Sequence, residues 1–238
     1  IQFPMGIFAI AIGTVLLPAL SKIDFINNKN EFINRLKKGQ RFVLFIGIPS
    51  FIGLSFCSVD LISTLFYRGE FSENDVNQAS LSLIAFSFGL PFFMLTKVLT
   101  PAFFARKDTK TPMYIAIISL ALNTSLNYLL AFVFNYGHIG IAIGSSIAAI
   151  VSVIILEIIL VNRKIIKLEN PFNRFNFSIL ISSISLVVFL YSTSLFINFF
   201  DLSELERVFY LLLEIFLAMI IYLGIARIIN LKPLKEIF

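Results

Sequence analysis

One cysteine, one histidine and no tryptophan occur among 238 residues. The lone Cys57 excludes an intramolecular disulfide and a cysteine-based metal cage. The lone His138 excludes a multi-histidine metal site. Without tryptophan, Tyr and Phe must supply any interfacial aromatic belt. Charge is scarce as well. Only 14% of the residues are charged, against about 25% in an ordinary soluble domain. A water-soluble globule could not cover its surface with so little polar material. Disorder is excluded for the opposite reason, because apolar burial is abundant.

What is present is apolar: 58% of the chain, with 28 Phe and a mean hydropathy of +0.92. The runs are long and do not alternate every second residue, which argues against a β-barrel. The expected class is an all-α polytopic membrane protein. At about 20 residues per crossing, the apolar segments fall near 3–22, 42–66, 79–105, 113–135, 138–162, 176–200 and 208–229. Residues 23–41 read as a polar link containing a short amphipathic helix along the interface. Residues 163–175 read as a hinge. Ile1 is not a start methionine, and no signal-peptide pattern precedes the apolar run at Phe3-Pro4, so the chain is expected to begin inside a longer protein.

The basic residues fix an orientation. All except Arg68, Lys97 and Arg207 fall in 22–41, 106–110, 163–174 or after 226. The positive-inside rule makes these stretches, and the C-terminus, cytoplasmic. The net charge of +5 therefore reports topology rather than nucleic-acid binding. Pro4, Pro18, Pro49, Pro91 and Pro101 interrupt the crossings or lie at their ends. Each removes a backbone donor, which is tolerated at membrane depth where the freed group faces protein or a wet cavity.

Four stretches, Gln2–Lys22, Leu65–Phe71, Lys97–Pro112 and Gly137–Ala149, resemble signatures of the MurJ (MviN) family of lipid II flippases, in that family's order and spacing. The resemblance is strong over about 1–150 and mostly hydropathic beyond. It implies a partial MOP/MATE-like exporter fold. Residues 1–165 would be most of a second six-helix lobe with its first helix truncated. Residues 166–238 would be a hinge plus two helices bordering a lipid-tail groove. The implied function is flipping of lipid II, or a related undecaprenyl-linked substrate, from the cytoplasmic to the outer leaflet of the bacterial inner membrane by alternating access. The implied partners are that lipid, membrane lipids and the N-terminal half of the same protein. The family's best-known cavity arginines would lie outside this chain. Rival readings are another lipid-linked oligosaccharide flippase of the same superfamily and a non-transporting membrane scaffold. An intramembrane lipid-modifying enzyme needs paired acids or a His cluster at one depth, and the sequence displays neither. Catalytic residues are not expected.

Lys97 is the sharpest internal charge. It lies about 13 Å deeper than Arg106 at 1.5 Å per residue, where a charge costs about 2.5–3.5 kcal/mol. Lys97 and Arg106 are the candidate substrate-binding cations; the plainer reading of Lys97 is a snorkelling lysine. Asn123 and Asn127, four apart, share a helix face. With Ser145 and the carbonyl of Ile141 they form a candidate sodium site, which the resemblance supports; interhelical hydrogen bonding is the alternative. No other cofactor is expected. Phe177, Phe189 and Phe196 are the candidate groove residues of the last pair.

Overall fold

The computed structural model describes residues 5–166 and 173–229. Among these residues eight α-helices and one 3-10 turn (Phe199–Asp201) follow one another: α1 (Met5–Ser21, opening in a π-helical turn over Met5–Ile10), α2 (Lys29–Phe56), α3 (Ser58–Phe66), α4 (Glu73–Phe104), α5 (Lys110–Val133, π-helical from Leu129), α6 (Gly137–Asn162), α7 (Arg174–Phe196) and, after the 3-10 turn, α8 (Glu204–Ile228). Six are long and apolar enough to cross a membrane, and the shorter Met5–Ser21 occupies the place of the remaining expected crossing. Ile117, Leu120, Phe132, Phe177 and Phe216 stand exposed. Such a surface suits lipid and would be a liability in water. The chain is an all-helical membrane protein.

Helix starts follow the local chemistry. Ser72 with Asp75, and Ser203 with Glu206, form capping boxes that satisfy the first amides of α4 and α8. Asn173 accepts from the Asn176 amide at the start of α7. The Asp108 carboxylate accepts from the Thr111 amide and so starts α5.

One expectation needs correction. Residues 29–41 do not form a separate interfacial helix; they are the first turns of α2, which runs unbroken into the crossing. The cause is a continuous buried stripe: Phe32, Leu36, Gly39 and Val43 recur at helical spacing on the core face. No proline lies between Lys29 and Pro49, so the helix continues into the crossing. The signature residues Gln2–Pro4, most of the expected hinge (167–172) and the last basic residues, Lys232 and Lys235, lie outside the described residues.

Two apolar cores share α2. The first joins α1, α2, α4 and α6 through Leu16, Leu36, Met94, Val98, Leu156 and Leu160. The second joins α2 to α7 and α8 through Phe45, Ile52, Leu186, Leu190, Ala218 and Tyr222. Small residues set the closest approaches. A Cβ on Gly89 of α4 would stand 2.6 Å from Ser146 Oγ of α6. Ser146 itself donates to the Ala85 carbonyl at 2.6 Å.

Candidate functional site

A cleft of about 900 Å³ lies between α1, α4, α5 and α6. From α4 come Phe93, Thr96, Lys97, Thr100 and Phe104, which recur at three- and four-residue spacing and so share one face. α5 adds Ser119 and Asn123, and α6 adds Ser145 and Ser152. Among the described residues the lining holds two cations, Lys97 and Lys110, and no acid. Lys97 is exposed to this space and has no ion-pair partner among the described residues. An unneutralised ammonium group on an otherwise apolar and hydroxyl-bearing wall attracts an anion that brings its own charge to the low-dielectric interior.

The backbone at Lys97 is also unusual. Its carbonyl would normally accept from the amide of residue 101, which is Pro101 and has none. Gly13 of α1 covers that oxygen; a Cβ there would stand 2.9 Å from it. α1 and α4 therefore meet closely beside the cleft.

Arg106 does not join Lys97. α4 ends at Phe104, so Lys97 sits within the helix while Arg106 lies beyond its end, in the turn to α5. Arg106 instead borders a smaller cleft with Phe103, Asp108 and Arg163. Its guanidinium carbon lies 4.3 Å from the centre of the Phe25 ring. Burial and the neighbouring Arg163 hold its pKa below the usual arginine value.

Beside it is a clasp that the sequence did not disclose. The Arg163 guanidinium, from the end of α6, pairs with the Asp108 carboxylate and donates to Thr111 Oγ1 at 2.9 Å. The Thr111 hydroxyl donates in turn to Asp108 at 2.6 Å. Partial burial pushes the Asp108 carboxyl up, but the bonds from Thr111 and Arg163 outweigh it and hold the group down at about 2. The α4–α5 turn is thus fastened to the end of α6.

The four residues of the candidate sodium site do come together. The Asn123 amide donates to Ser145 Oγ at 3.0 Å, and the Asn127 amide donates to Asn123 Oδ1 at 3.0 Å. With the Asn127 amide turned over, its nitrogen reaches the carbonyls of Ile141 and Asn123 at 3.2 Å, and its oxygen stands 3.0 Å from Asn123 Oδ1. Gly144 makes room, since a Cβ there would lie 2.4 Å from the Asn127 side chain. Asn123 and Ser145 also line the Lys97 cleft.

A second, apolar groove of about 560 Å³ lies where α7 and α8 meet α2. Its walls include Phe42, Phe45, Ile46, Leu190, Met219 and Tyr222. None of the three expected phenylalanines lines it. Phe177 and Phe196 point away, 57% and 87% exposed, and Phe189 packs on the second core. The buried side of α7 carries small and aliphatic residues, Ser178, Ser182, Leu186 and Leu190, of which Leu186 and Leu190 line the groove.

Comparison with known proteins adds the family context. The family model described as "Lipid II flippase MurJ" matches residues 1–210. The chain is 43% identical over 156 residues to a protein of Vibrio cholerae named probable lipid II flippase MurJ, covering 66% of this chain and 29% of that protein. It is 41% identical over 162 residues to one of Haemophilus influenzae with the same name, covering 66% and 31%. A solved structure, "Lipid II flippase MurJ, inward closed conformation", is similar with a TM-score of 0.73 and 30% identity, over 95% of this chain and 44% of that one. The chain thus spans about a third of the length of these curated relatives.

Proposed function

Because the chain belongs to the MurJ family of lipid II flippases, we propose that it forms one wall of a cavity through which lipid II passes from the cytoplasmic to the outer leaflet by alternating access. The observation that carries this reading is the Lys97 cleft, a large space walled by four helices with two lysines and, among the described residues, no acid. Its chemistry suits a diphosphate headgroup joined to sugars, with hydroxyl-bearing side chains available for the polar remainder. The apolar groove against α2 suits a long polyprenyl tail, which must stay in an apolar setting while the head crosses. In this reading 1–165 form most of one lobe, and 166–238 form the hinge and the pair of helices that complete the groove. The membrane is the bacterial cytoplasmic membrane, with the basic loops and the C-terminus on the cytoplasmic side.

The Asn123–Asn127–Ser145–Ile141 group is the proposed sodium site. The two asparagine amides, the Ser145 hydroxyl and the Ile141 carbonyl bring together oxygens of the kind a hard cation takes.

The test is site-specific photocrosslinking in the intact protein. A photoreactive residue at Thr96 or Ser152, in the cleft, is expected to capture lipid II. One at Phe196, on the outer face, is expected to capture bulk phospholipid only. Equal capture of lipid II from all three positions would overturn the assignment of the cleft.

A further inference from the structure

The sequence shows no paired acids at one depth, but folding creates such a pair. Asp60 of α3 and Glu214 of α8 meet beside Cys57, with one oxygen of each carboxyl and the Cys57 sulfur all within 4.8 Å of one another. Glu214 is only 5% exposed, and its Oε2 has no hydrogen-bond partner among the described residues. At 1.5 Å per residue it lies about 15 Å along α8 from the helix start.

Among the described residues the surroundings offer no counter-charge. Stretches 42–66, 175–196 and 208–226, which contain the facing parts of α2, α3, α7 and α8, hold no Lys, Arg or His. The titratable and polar groups facing Glu214 are Asp60 from α3, Cys57 from the α2–α3 junction and the Thr193 hydroxyl from α7. On α8 itself the nearest cation is Arg207, two turns away, whose guanidinium donates to the carbonyls of Leu202 and Tyr67. Two carboxylates at this separation in an apolar wall repel each other, and neither has an ion-pair partner among the described residues.

The Thr193 hydroxyl donates to Glu214 Oε1, so the unpartnered Oε2 is the oxygen left to share a proton.

We propose that Asp60 and Glu214 hold a proton between them across the α3–α8 contact, and that its loss parts these helices at the outer end of the apolar groove. The location supports the second half of the statement. Cys57, Leu61 and Ile215, each adjoining the pair, all line that groove. With the proton present, a carboxyl–carboxyl hydrogen bond closes the outer end. With it gone, two like charges face each other and draw in water. The site thus binds a proton, and it ties groove closure to the acidity of the outer compartment. It stands on the geometry of α3, α7 and α8 and does not depend on which lipid the groove takes.

The test uses the intact protein in lipid nanodiscs. Infrared spectra at neutral pH are expected to show a protonated-carboxyl C=O band that Glu214→Gln removes. Thr193→Val, which keeps the side-chain shape, should retain the band but shift its frequency. Spin labels at the exposed positions Leu65 and Leu205, on a Cys57→Ala background, should move apart as the band titrates away. The Glu214→Gln protein, a neutral mimic, should keep the short distance at every pH. A fully ionised Glu214 at neutral pH, or a label distance that ignores the titration, would overturn the proposal. So would zinc retained at one equivalent in wild type and lost in Glu214→Gln, which would make the cluster a metal site.

Discussion

The Tyr222 hydroxyl of α8 donates to the Phe45 carbonyl of α2 at 2.9 Å, both buried. That carbonyl is the one that Pro49, four residues on, leaves without its helical donor. A sequence defect in one helix is thus satisfied by a side chain from another, and the bond forms part of the wall of the apolar groove.

Tyr222→Phe should therefore leave a buried acceptor unsatisfied and cost about 1 kcal/mol, up to about 3. Restoring the amide with Pro49→Ala should remove most of that cost. The check is a double-mutant cycle on thermal stability in detergent. Equal effects of Tyr222→Phe on both backgrounds would show that the hydroxyl does not serve the proline gap.

Gly13 should tolerate no side chain. Gly13→Ala places a Cβ 2.9 Å from the Lys97 carbonyl, so α1 must shift from α4. Gly224→Ala meets nothing within 4 Å and should stabilise α8 by about 0.5–1 kcal/mol through helix propensity. Melting temperatures of the two variants should move in opposite directions. A neutral Gly13→Ala would mean that the close α1–α4 contact is dispensable.

The Arg163–Asp108 clasp should titrate at low pH. The Asp108 carboxyl stands at about 2 in the folded chain, against an ordinary 3.8. A depressed folded value means that its stabilisation is complete above about pH 4 and is lost as pH falls through 2. Asp108→Asn should melt lower than wild type at pH 6, and the gap should close toward pH 2. A gap of constant size across that range would assign the loss to something other than the carboxylate.

For the asparagine group, the proposed sodium site predicts a higher melting temperature in sodium chloride than in potassium chloride at equal ionic strength. The difference should vanish in Asn123→Ala. Identical melting in the two salts would leave the group as an interhelical hydrogen-bond cluster.

The crossings were legible because hydropathy over some 20 residues is a strong, local signal. The i, i+4 spacing of Asn123 and Asn127 also placed both on the face that meets Ser145. Facing was harder. Phe177 and Phe196 read as groove residues because the segment is rich in aromatics, and only packing against α2 selects Leu186 and Leu190. Lys97 and Arg106 read together as substrate cations, but the end of α4 at Phe104 separates them. Helical i, i+4 counting applied to Pro49 would have flagged the Phe45 carbonyl as needing a partner. The Arg163–Asp108 clasp and the Asp60–Glu214 pair join segments far apart in the chain, and no local pattern announces them.

Lys97 is the point on which the transport reading turns. The decisive measurement is display of lipid II on the outer leaflet in cells that depend on the intact protein, with Lys97→Ala and Lys97→Arg compared at equal membrane abundance. The account predicts at least a tenfold loss for Lys97→Ala. It predicts a smaller loss for Lys97→Arg, which keeps the charge but changes its geometry. Wild-type display by the Lys97→Ala protein would contradict it, because the cleft would then move its substrate without the cation that defines it.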